Sequence, residues 1–471
     1  MAVRKLLGFS LGPAVASFVS LISVPILTRI VTPETYAQVS LAQVTIQLLL
    51  FAIFSGFDQG YVREFYEEKS KRKLLLHTLG LNLGLYAVVV LSLWCFSEPI
   101  SNFLFGYIDF TLLILIAVIA FQSVILRYIQ LAFRMEGSAI SFSLVLIIQS
   151  ITNVLLILSF ISLNIATDLK AILSANAISI FIVIVFGILK LNPPVHTKEI
   201  VNFDKSLFLK LARYSLPLLV STLFMWVLYS ADQYMLRIMS DYQQLGLYAA
   251  SYKLIAALVL FQTIISTYWV PVSLAWAKED KSSYEYERVG LIVSGLLLIV
   301  FLLAILFKSL LVLILGVEFR GAVDIFPYLL LFPIYYTLAE VGSSGIAIAR
   351  KTKLLMPITF ICACLNVSLN LYLIPMMGAK GAAISTAFTF ILYFYLRAYV
   401  SNRYWKKLTL KNYNYVTLIC IITLMFHDNS YINYLCILLL LLTLIFLYFK
   451  EKKLIKFFIN QKIFSSKNHT P

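Results

Sequence analysis

Charged side chains within otherwise apolar stretches are the residues of this sequence best suited to chemistry. Lys253 is flanked by alanines, Asp232 lies in the apolar segment before it, and Glu340 lies in a later one. Asp58 stands nearer to the end of its segment. A charge in such surroundings is costly unless it is paired or has a function. The pattern leaves two interpretations open: ion pairs of Lys253 with Asp232 or Glu340, or a site for a charged ligand.

Arg29 and Arg237 stand at matching positions in two similar stretches of the sequence. The stretch TRIVTPETYAQVSLA at 28–42 is similar to LRIMSDYQQLGLYAAS at 236–251. A guanidinium offers paired donors to phosphate oxygens, so two arginines near the mouth of one cleft suit a diphosphate ligand. The alternative is that both side chains only extend from the ends of apolar segments toward water.

Two pairs of amide side chains recur six segments apart. Gln149 and Asn153 form the first pair, and Asn366 and Asn370 form the second. Residues four apart share one face of a helix, so each pair presents its amides in one direction. We expect these amides to line a polar cavity, although amides in membrane helices also hydrogen-bond neighbouring helices.

The composition places the chain among membrane proteins. It has 471 residues, of which 61% are hydrophobic and 13% are charged, whereas soluble domains are about 45–50% apolar and about 25% charged. This excludes a soluble enzyme, a secreted disulfide scaffold and a nucleic-acid-binding module. The cysteines lie in apolar runs without metal-ligand spacing, and no catalytic constellation is present. We therefore expect neither a metal site nor an enzyme.

The apolar residues form fourteen segments, nearly all of them long enough to cross a bilayer as helices. They cover 6–30, 37–57, 74–97, 110–132, 139–163, 168–189, 212–238, 246–276, 289–307, 323–348, 354–377, 381–400, 413–427 and 431–449. The thirteenth is the shortest, and 309–316 either extends the ninth helix or forms a re-entrant turn. The sequence thus predicts an all-α polytopic membrane protein with about 14 transmembrane helices.

The distribution of Lys and Arg between the predicted loops indicates the orientation. If the N-terminus is cytoplasmic and every segment crosses, 31 of the 38 cations lie on the cytoplasmic side, 6 lie on the other side, and Lys253 lies within a helix. This asymmetry is the positive-inside pattern. We expect both termini to be cytoplasmic.

The similar stretches indicate an internal repeat of six helices. Because six is even, both copies enter the membrane from the same side and are parallel repeats. Two lobes that face each other across a cleft suit an alternating-access transporter. The predicted organisation is an N-terminal six-helix lobe at 1–189, a cytoplasmic linker at 190–211, a C-terminal six-helix lobe at 212–401, two additional helices at 402–449 and a basic cytoplasmic tail at 450–471.

Three stretches resemble the polysaccharide-unit flippases. NVSLNLYLIPMMGAKGAAISTAF at 366–388 resembles their N-x-x-x-N…P-x-x-G-x-x-G-A-A segment, and YSLP…SADQYML…LGLYAASYKL at 214–254 resembles their seventh and eighth helices. The stretch at 28–42 resembles their first inter-helix loop, with Ala37 where that family usually has Gly. The first twelve helices are thus similar to the O-antigen flippases (Wzx type) of the multidrug/oligosaccharidyl-lipid/polysaccharide flippase superfamily.

This resemblance implies a V-shaped fold like that of multidrug exporters. It implies translocation of an undecaprenyl-diphosphate-linked oligosaccharide from the cytoplasmic to the periplasmic leaflet of the bacterial inner membrane. The cavity cations, here Lys253, Arg29 and Arg237, would hold the diphosphate, while Asp232 and Glu340 would couple transport to H⁺ or Na⁺. No other cofactor is implied. The implied partners are membrane lipid, a polysaccharide polymerase and a chain-length regulator, with no nucleic acid.

Two alternatives remain at the level of the sequence. A cation-coupled multidrug exporter of the same superfamily would need acidic rather than basic residues in its cavity, so Lys253 argues against it. A membrane-embedded polysaccharide polymerase or a glycosyltransferase would need an acid or base held in a sizeable loop. The predicted outer loops are short, and no D-x-D motif occurs.

Overall fold

The part of the chain that this computed structural model describes, residues 2–163, 168–191, 204–426 and 431–446, is helical and contains no strand. The first half comprises α1 (Ala2–Thr28), α2 (Pro33–Phe54), α3 (Phe57–Glu64), α4 (Lys71–Cys95), α5 (Ser97–Phe105), α6 (Phe110–Met135), α7 (Ala139–Ser162) and α8 (Leu169–Leu191). The second half comprises α9 (Lys205–Met239), α10 (Tyr242–Leu254), α11 (Ala256–Lys278), α12 (Ser283–Leu306), α13 (Lys308–Leu313), α14 (Phe326–Leu329), α15 (Leu331–Gly342), α16 (Ser344–Ile348), α17 (Leu355–Tyr404), α18 (Lys411–Met425) and α19 (Ile432–Phe446). Short 3₁₀ helices lie at Val317–Asp324 and Thr352–Leu354.

The starts of α2, α9 and α10 are fixed by side-chain caps. The Thr32 hydroxyl accepts a hydrogen bond from an N–H of the first turn of α2, and Pro33 occupies the first helical position. Asp204 and Asp241 accept hydrogen bonds in the same way at the starts of α9 and α10. Each such cap satisfies donors that the helix itself leaves free and stabilises it by about 1 kcal/mol.

The helices are long and apolar enough to make this a multi-pass membrane protein. Nine helices of the described residues could cross a membrane, or ten if the bent pair Val317–Asp324 and Phe326–Gly342 forms one span. Every one of the fourteen predicted segments overlaps a described helix. The all-α fold class is confirmed, and the count of fourteen spans stays a prediction.

Several predicted helices are broken in the structure. The predicted eighth helix ends at Leu254 and restarts as α11 after Ile255. The predicted tenth helix is interrupted at Leu330 and Ser343, and the stretch after the ninth forms the separate helix α13. Ile255 is neither Gly nor Pro, so the sequence carries no obvious signal for the break next to Lys253.

The helix α17 is two helices that fold back on each other at Gly378. This residue has φ +55° and ψ −131°, which no helix contains. The Nδ2 atom of Asn366, which precedes the turn, lies 3.4 Å from the hydroxyl oxygen of Ser385, which follows the turn. A side chain at Gly378 would collide with Gln244 of α10, 2.7 Å from the position of a Cβ. The turn therefore requires glycine for its conformation and for its packing.

Corresponding helices of the two halves form similar packing pairs. In the first half, α1 packs on α7 and α6 packs on α8. In the second half, α9 and α15 both pack on α17. The helix α18 packs on α12, outside the two six-helix groups. These pairs match the predicted repeat, whose exact lobe boundaries stay a prediction; residues 192–203 of the linker and the tail 450–471 lie outside the described residues.

The two halves meet at both ends of α2, which we name the Pro33 end and the Gly56 end. At the Pro33 end, Gly246 of α10 is so close that a Cβ on it would lie 2.1 Å from the Pro33 carbonyl oxygen. At the Gly56 end, the Ser215 hydroxyl of α9 donates to the Gly56 carbonyl oxygen at 2.9 Å. A helix of 22 residues is about 33 Å long, so these contacts are about one membrane thickness apart.

Further contacts strengthen both ends. At the Pro33 end, the Gly316 N–H donates to the Thr28 hydroxyl at 3.1 Å. At the Gly56 end, the Lys73 ammonium lies 2.8 Å from Asp204, at the start of α9. The Lys73 hydrogen bond, followed by that of the Ser206 hydroxyl, holds the pKa of the Asp204 carboxyl well below its ordinary value. This ion pair therefore persists at all pH values near neutrality.

Candidate functional site: a central cavity with one charged residue

Two adjoining cavities lie between the ends of α2 and share Ser40, Gln43 and Lys253. The first-half cavity has a volume of about 280 Å³ and is lined by α1, α2, α7, α8 and Lys253. The inter-half cavity has a volume of about 370 Å³ and lies between α2 and the helices α9, α10, α11 and α15. Together they form one site to which both halves contribute.

Lys253 is the only charged residue among the described residues that line either cavity. It is the last residue but one of α10, directly before the break at Ile255. At 1.5 Å per residue its Cα lies about 16 Å from the start of the helix, close to the middle of a hydrocarbon core of about 30 Å. The predicted segment started at Gly246, which would place Lys253 only about 10 Å from its outer end, whereas α10 begins at Tyr242.

No ion pair neutralises Lys253 within the described part of the chain. The Asp232 and Glu340 carboxylates, which the sequence offered as partners, form other contacts. A cation on a cavity wall without a protein anion is an electrostatic site for an anionic ligand.

The amides Gln149 and Asn153 line the first-half cavity. Asn176 of α8 and the hydroxyl residues Ser20 and Ser23 of α1 belong to the same polar lining. The sequence analysis missed Gln43 and Gln47 of α2, which line the inter-half cavity. These two amides are also four residues apart, so the rule that found the first pair would have found them.

Asp232 lies at the centre of a buried cluster in the second half. Its carboxylate accepts hydrogen bonds from the Tyr248 hydroxyl at 2.6 Å, from Asn370 Nδ2 at 2.5 Å and from the Thr386 hydroxyl. Asn370 Nδ2 also lies 3.1 Å from Asn366 Oδ1. The predicted amide pair Asn366 and Asn370 therefore belongs to this cluster and not to the lining of either cavity. The cluster is distinct from the Lys253 site.

Glu340 forms an ion pair with Arg397, at 2.6 Å; the Arg397 side chain is buried and the Glu340 side chain is 14% exposed. Arg397 also donates to the Ser343 hydroxyl at 3.0 Å, at the break between α15 and α16. The charge count placed only Lys253 within a helix and so counted Arg397 among the cytoplasmic cations, whereas α17 continues seven residues beyond Arg397. This pair accounts for the Glu340 charge within the protein.

The remaining predicted charges lie away from the cavities. Arg29 is exposed just after α1, and Arg237 donates to the Phe103 carbonyl oxygen of the first half at 2.7 Å while its guanidinium lies over the Tyr242 ring. Asp58 pairs with Arg127 at 2.7 Å. The structure does not bring Arg29 and Arg237 to Lys253. No group of three His, Cys, Asp or Glu residues in the described ranges could hold a metal ion.

Comparison of the sequence with known protein families shows the family to which the chain belongs. Residues 3–275, more than half of the sequence, match the family of polysaccharide biosynthesis proteins. The chain belongs to this family. No curated protein matches its sequence.

Solved structures of transporters share the fold. The Lipid II flippase MurJ in an inward closed conformation aligns with a TM-score of 0.73 at 15% identity, over 95% of this chain and 99% of that one. An inward-facing multidrug resistance MATE family transporter of the MOP superfamily aligns with a TM-score of 0.61 at 13% identity, over 83% and 97%. A MOP superfamily transporter from Pyrococcus furiosus aligns with a TM-score of 0.57 at 16% identity, over 85% and 94%. The predicted resemblance to the fold of this superfamily is confirmed.

Proposed function

We propose that this polysaccharide biosynthesis protein is a flippase for an undecaprenyl-diphosphate-linked oligosaccharide, such as an O-antigen repeat unit. It moves the oligosaccharide from the cytoplasmic to the periplasmic leaflet of the bacterial inner membrane by alternating access. The MurJ structure, which is that of a Lipid II flippase, supports a lipid-linked substrate for this fold. A polysaccharide polymerase and a chain-length regulator would receive the product.

The observation that carries this proposal is the electrostatics of the central cavity. One lysine and many amides and hydroxyls line it, and no acidic residue is among the described lining residues. A diphosphate supplies the anion that Lys253 lacks, and hydroxyl-rich sugars match the amides. Because Arg29 and Arg237 are not among the residues that line this cavity, we assign the diphosphate to Lys253 alone among the three predicted cations.

Asp232 is the best candidate for coupling to a cation gradient. Its carboxylate is surrounded by oxygen and amide groups, and Asn370 Oδ1 beside it is buried without a hydrogen-bond partner. A carboxylate in such a cluster suits a proton or Na⁺ as the coupling ion. The Arg397 ion pair argues for a structural rather than a coupling role of Glu340.

Replacing Lys253 tests the proposed role directly. Lys253→Ala should keep its normal abundance in the membrane, since no carboxylate loses a partner, but surface glycan display should fall by at least about tenfold because a charged hydrogen bond is lost. Lys253→Arg should retain part of the display and Lys253→Glu none. The measurement is glycan display in a flippase-deficient host, normalised to membrane-protein abundance.

Lys278→Ala, which removes an exposed lysine at the end of α11, is the matched control and should display glycan normally. Normal display by Lys253→Ala would remove Lys253 from the substrate site and with it the main support for a diphosphate ligand.

The alternative function, export of hydrophobic cations, is disfavoured by the same cavity. A cationic drug would meet the Lys253 ammonium and find no acidic residue among the described lining residues. If the protein conferred resistance to cationic dyes on a sensitive host and Lys253→Ala increased that resistance, the exporter would replace the flippase as the better proposal.

A further inference from the structure

We propose that the inter-half cavity selects the sugar unit attached to the diphosphate, and that it accepts an uncharged sugar through four glutamine amides and an aromatic wall that line the same cavity. This inference rests on the proposed function and goes beyond it, because it assigns specificity to residues other than the diphosphate-binding lysine. The four amides are Gln43 and Gln47 of α2, Gln233 of α9 and Gln262 of α11.

The amides have unused hydrogen-bonding capacity. Gln262 is only 8% exposed, yet its Oε1 atom is buried without a hydrogen-bond partner. Gln233 Oε1 accepts only one hydrogen bond, from the Ser40 hydroxyl at 2.6 Å. A buried amide oxygen without a partner costs about 1–3 kcal/mol. A ligand with hydroxyl or acetamido groups in this cavity would remove that cost, since each such group can donate to an amide oxygen.

Three aromatic side chains, which we name the aromatic wall, line the same cavity as these amides. The rings of Tyr252 and Phe332 are nearly parallel, 5.9 Å apart at 17°, and Tyr229 lies 5.3 Å from Phe332. All three line the cavity, and the two tyrosines are partly accessible within it. Sugar rings have one apolar face of C–H groups, which packs on aromatic rings, and a rim of hydroxyls. An aromatic wall and amides in one cavity match both features, as in other small-molecule sites.

The charges of the cavity restrict the sugar further. Lys253 is the sole charged residue among the described lining residues, and it is shared with the first-half cavity. If the diphosphate occupies Lys253, no second cation is left for a carboxylate on the sugar. A uronic acid would therefore enter with an unpaired charge, which is costly in such surroundings. The geometry favours a neutral or N-acetylated sugar next to the diphosphate.

The selecting residues come from both halves of the molecule. Gln43 and Gln47 belong to the first half, whereas Gln233, Gln262 and the aromatic wall belong to the second. A sugar that bonds to both sets can do so only while the halves are together. Recognition of the correct sugar thus stabilises this conformation relative to those in which the halves separate.

The test compares three lipid probes on the purified full-length protein in lipid nanodiscs. The probes are undecaprenyl diphosphate, the same lipid carrying one N-acetylglucosamine, and the same lipid carrying one galacturonic acid, with affinities measured by native mass spectrometry. We expect the N-acetylglucosamine lipid to bind about tenfold more tightly than the other two. Gln262→Leu and Tyr252→Ala should each abolish this preference without weakening the binding of the bare lipid. Gln47→Leu should do the same, and because Gln47 is exposed its replacement should not disturb folding.

Gln122→Leu is the matched control. Gln122 also has a buried Oε1 atom without a hydrogen-bond partner, but it lies on α6 and lines neither cavity. This variant should keep the preference. Equal affinity for all three probes in the unaltered protein, tight binding of the galacturonic acid lipid, or an unchanged preference in the cavity variants would overturn the sugar-selection proposal. Two other outcomes would contradict the proposed flippase function instead. One is that the unaltered protein binds none of the probes, and the other is that Lys253→Ala binds the bare lipid as tightly as the unaltered protein does.

Discussion

The buried Asp232 carboxylate of the second half is surrounded by hydrogen-bond donors. Three side chains from α10 and α17 donate hydrogen bonds to its two oxygens. Hydrogen bonds to a charged group are each worth about 1.5–3 kcal/mol, which offsets much of the cost of burial. The same set of donors can rearrange around a bound cation or proton, so the cluster joins stability to the proposed coupling.

Asp232→Asn separates these two roles. The amide keeps the shape and one acceptor oxygen, and the neighbouring hydroxyls can turn to accept its N–H groups, so membrane abundance should stay within about twofold of the unaltered protein. Glycan display should be lost, because an amide cannot exchange a coupling ion. Full display at normal abundance would exclude Asp232 from coupling; loss of both would assign it to stability alone.

Glu340 and Arg397 should behave as a structural pair. Glu340→Ala leaves the buried Arg397 guanidinium without its anion, at a cost of about 3–5 kcal/mol, and should lower the midpoint of thermal unfolding in detergent. The double variant Glu340→Leu/Arg397→Leu should recover most of that loss. Lys281→Ala, which breaks an exposed pair with Glu279, should leave the midpoint unchanged. A midpoint that Glu340→Ala does not lower would return Glu340 to the candidates for coupling.

At this scale the sequence predicted residue types better than partners. Lys253 and the amides Gln149 and Asn153 were found because polar residues in apolar segments stand out without any knowledge of the fold. Arg397 was missed because a cation near the end of an apolar segment resembles a loop residue. Its partner Glu340 is 57 residues away, so only the packing of α15 on α17 reveals the pair.

At the scale of helices, apolar segments were predicted well and interruptions were not. Hydropathy places the segments because each must satisfy its own backbone in lipid. The break at Ile255 leaves hydropathy unchanged and involves neither Gly nor Pro, so tertiary packing decides it. The turn at Gly378, by contrast, falls between two predicted segments and at a glycine, where the sequence does carry a signal.

The Gly378 turn can be tested by one methyl group. Gly378→Ala places a residue with a Cβ at φ +55° and ψ −131°, a sparsely populated region that costs about 1–3 kcal/mol, and it forces the end of the Gln244 side chain to move. We expect a lower thermal midpoint and less protein in the membrane. Gly84→Ala in α4, where a Cβ meets no atom within 4 Å, should be neutral or stabilising by up to about 1 kcal/mol. Equal midpoints for the two variants would show that the turn is not constrained as described.

At the scale of the whole molecule, α2 is the helix on which the two halves meet. At its Pro33 end α2 contacts α10, and at its Gly56 end the Gly56 carbonyl oxygen accepts a hydrogen bond from α9. Its middle carries the cavity residues Ser40, Gln43 and Gln47. For the proposed alternating access, we expect the cavity to open at one end of α2 at a time, with the contacts at that end broken and those at the other end kept.

Gly246→Ala should bias which end opens. Its Cβ would lie 2.1 Å from the Pro33 carbonyl oxygen, so the halves must move apart at that end. In a cysteine-free background with Ser40→Cys as reporter, a membrane-impermeant maleimide added from the periplasmic side should label the Gly246→Ala protein several-fold faster. Gly80→Ala, with open space around its Cβ, should leave the rate unchanged. Faster labelling from the cytoplasmic side instead would reverse the predicted orientation of α2.

The contacts at the two ends of α2 also have a consequence for ion leakage across the membrane. A bacterial inner membrane stores its proton-motive force as a voltage and a pH difference, and an open passage wide enough for a glycan would dissipate both. Here packed backbone at Gly246 and Gly316 lies at one end of the cavity, and the Gly56 contact with the Lys73–Asp204 ion pair lies at the other. In the bacterial inner membrane, where we propose that the protein acts, these two closed ends predict that it conducts no ions in this conformation, so that many copies would not discharge the membrane.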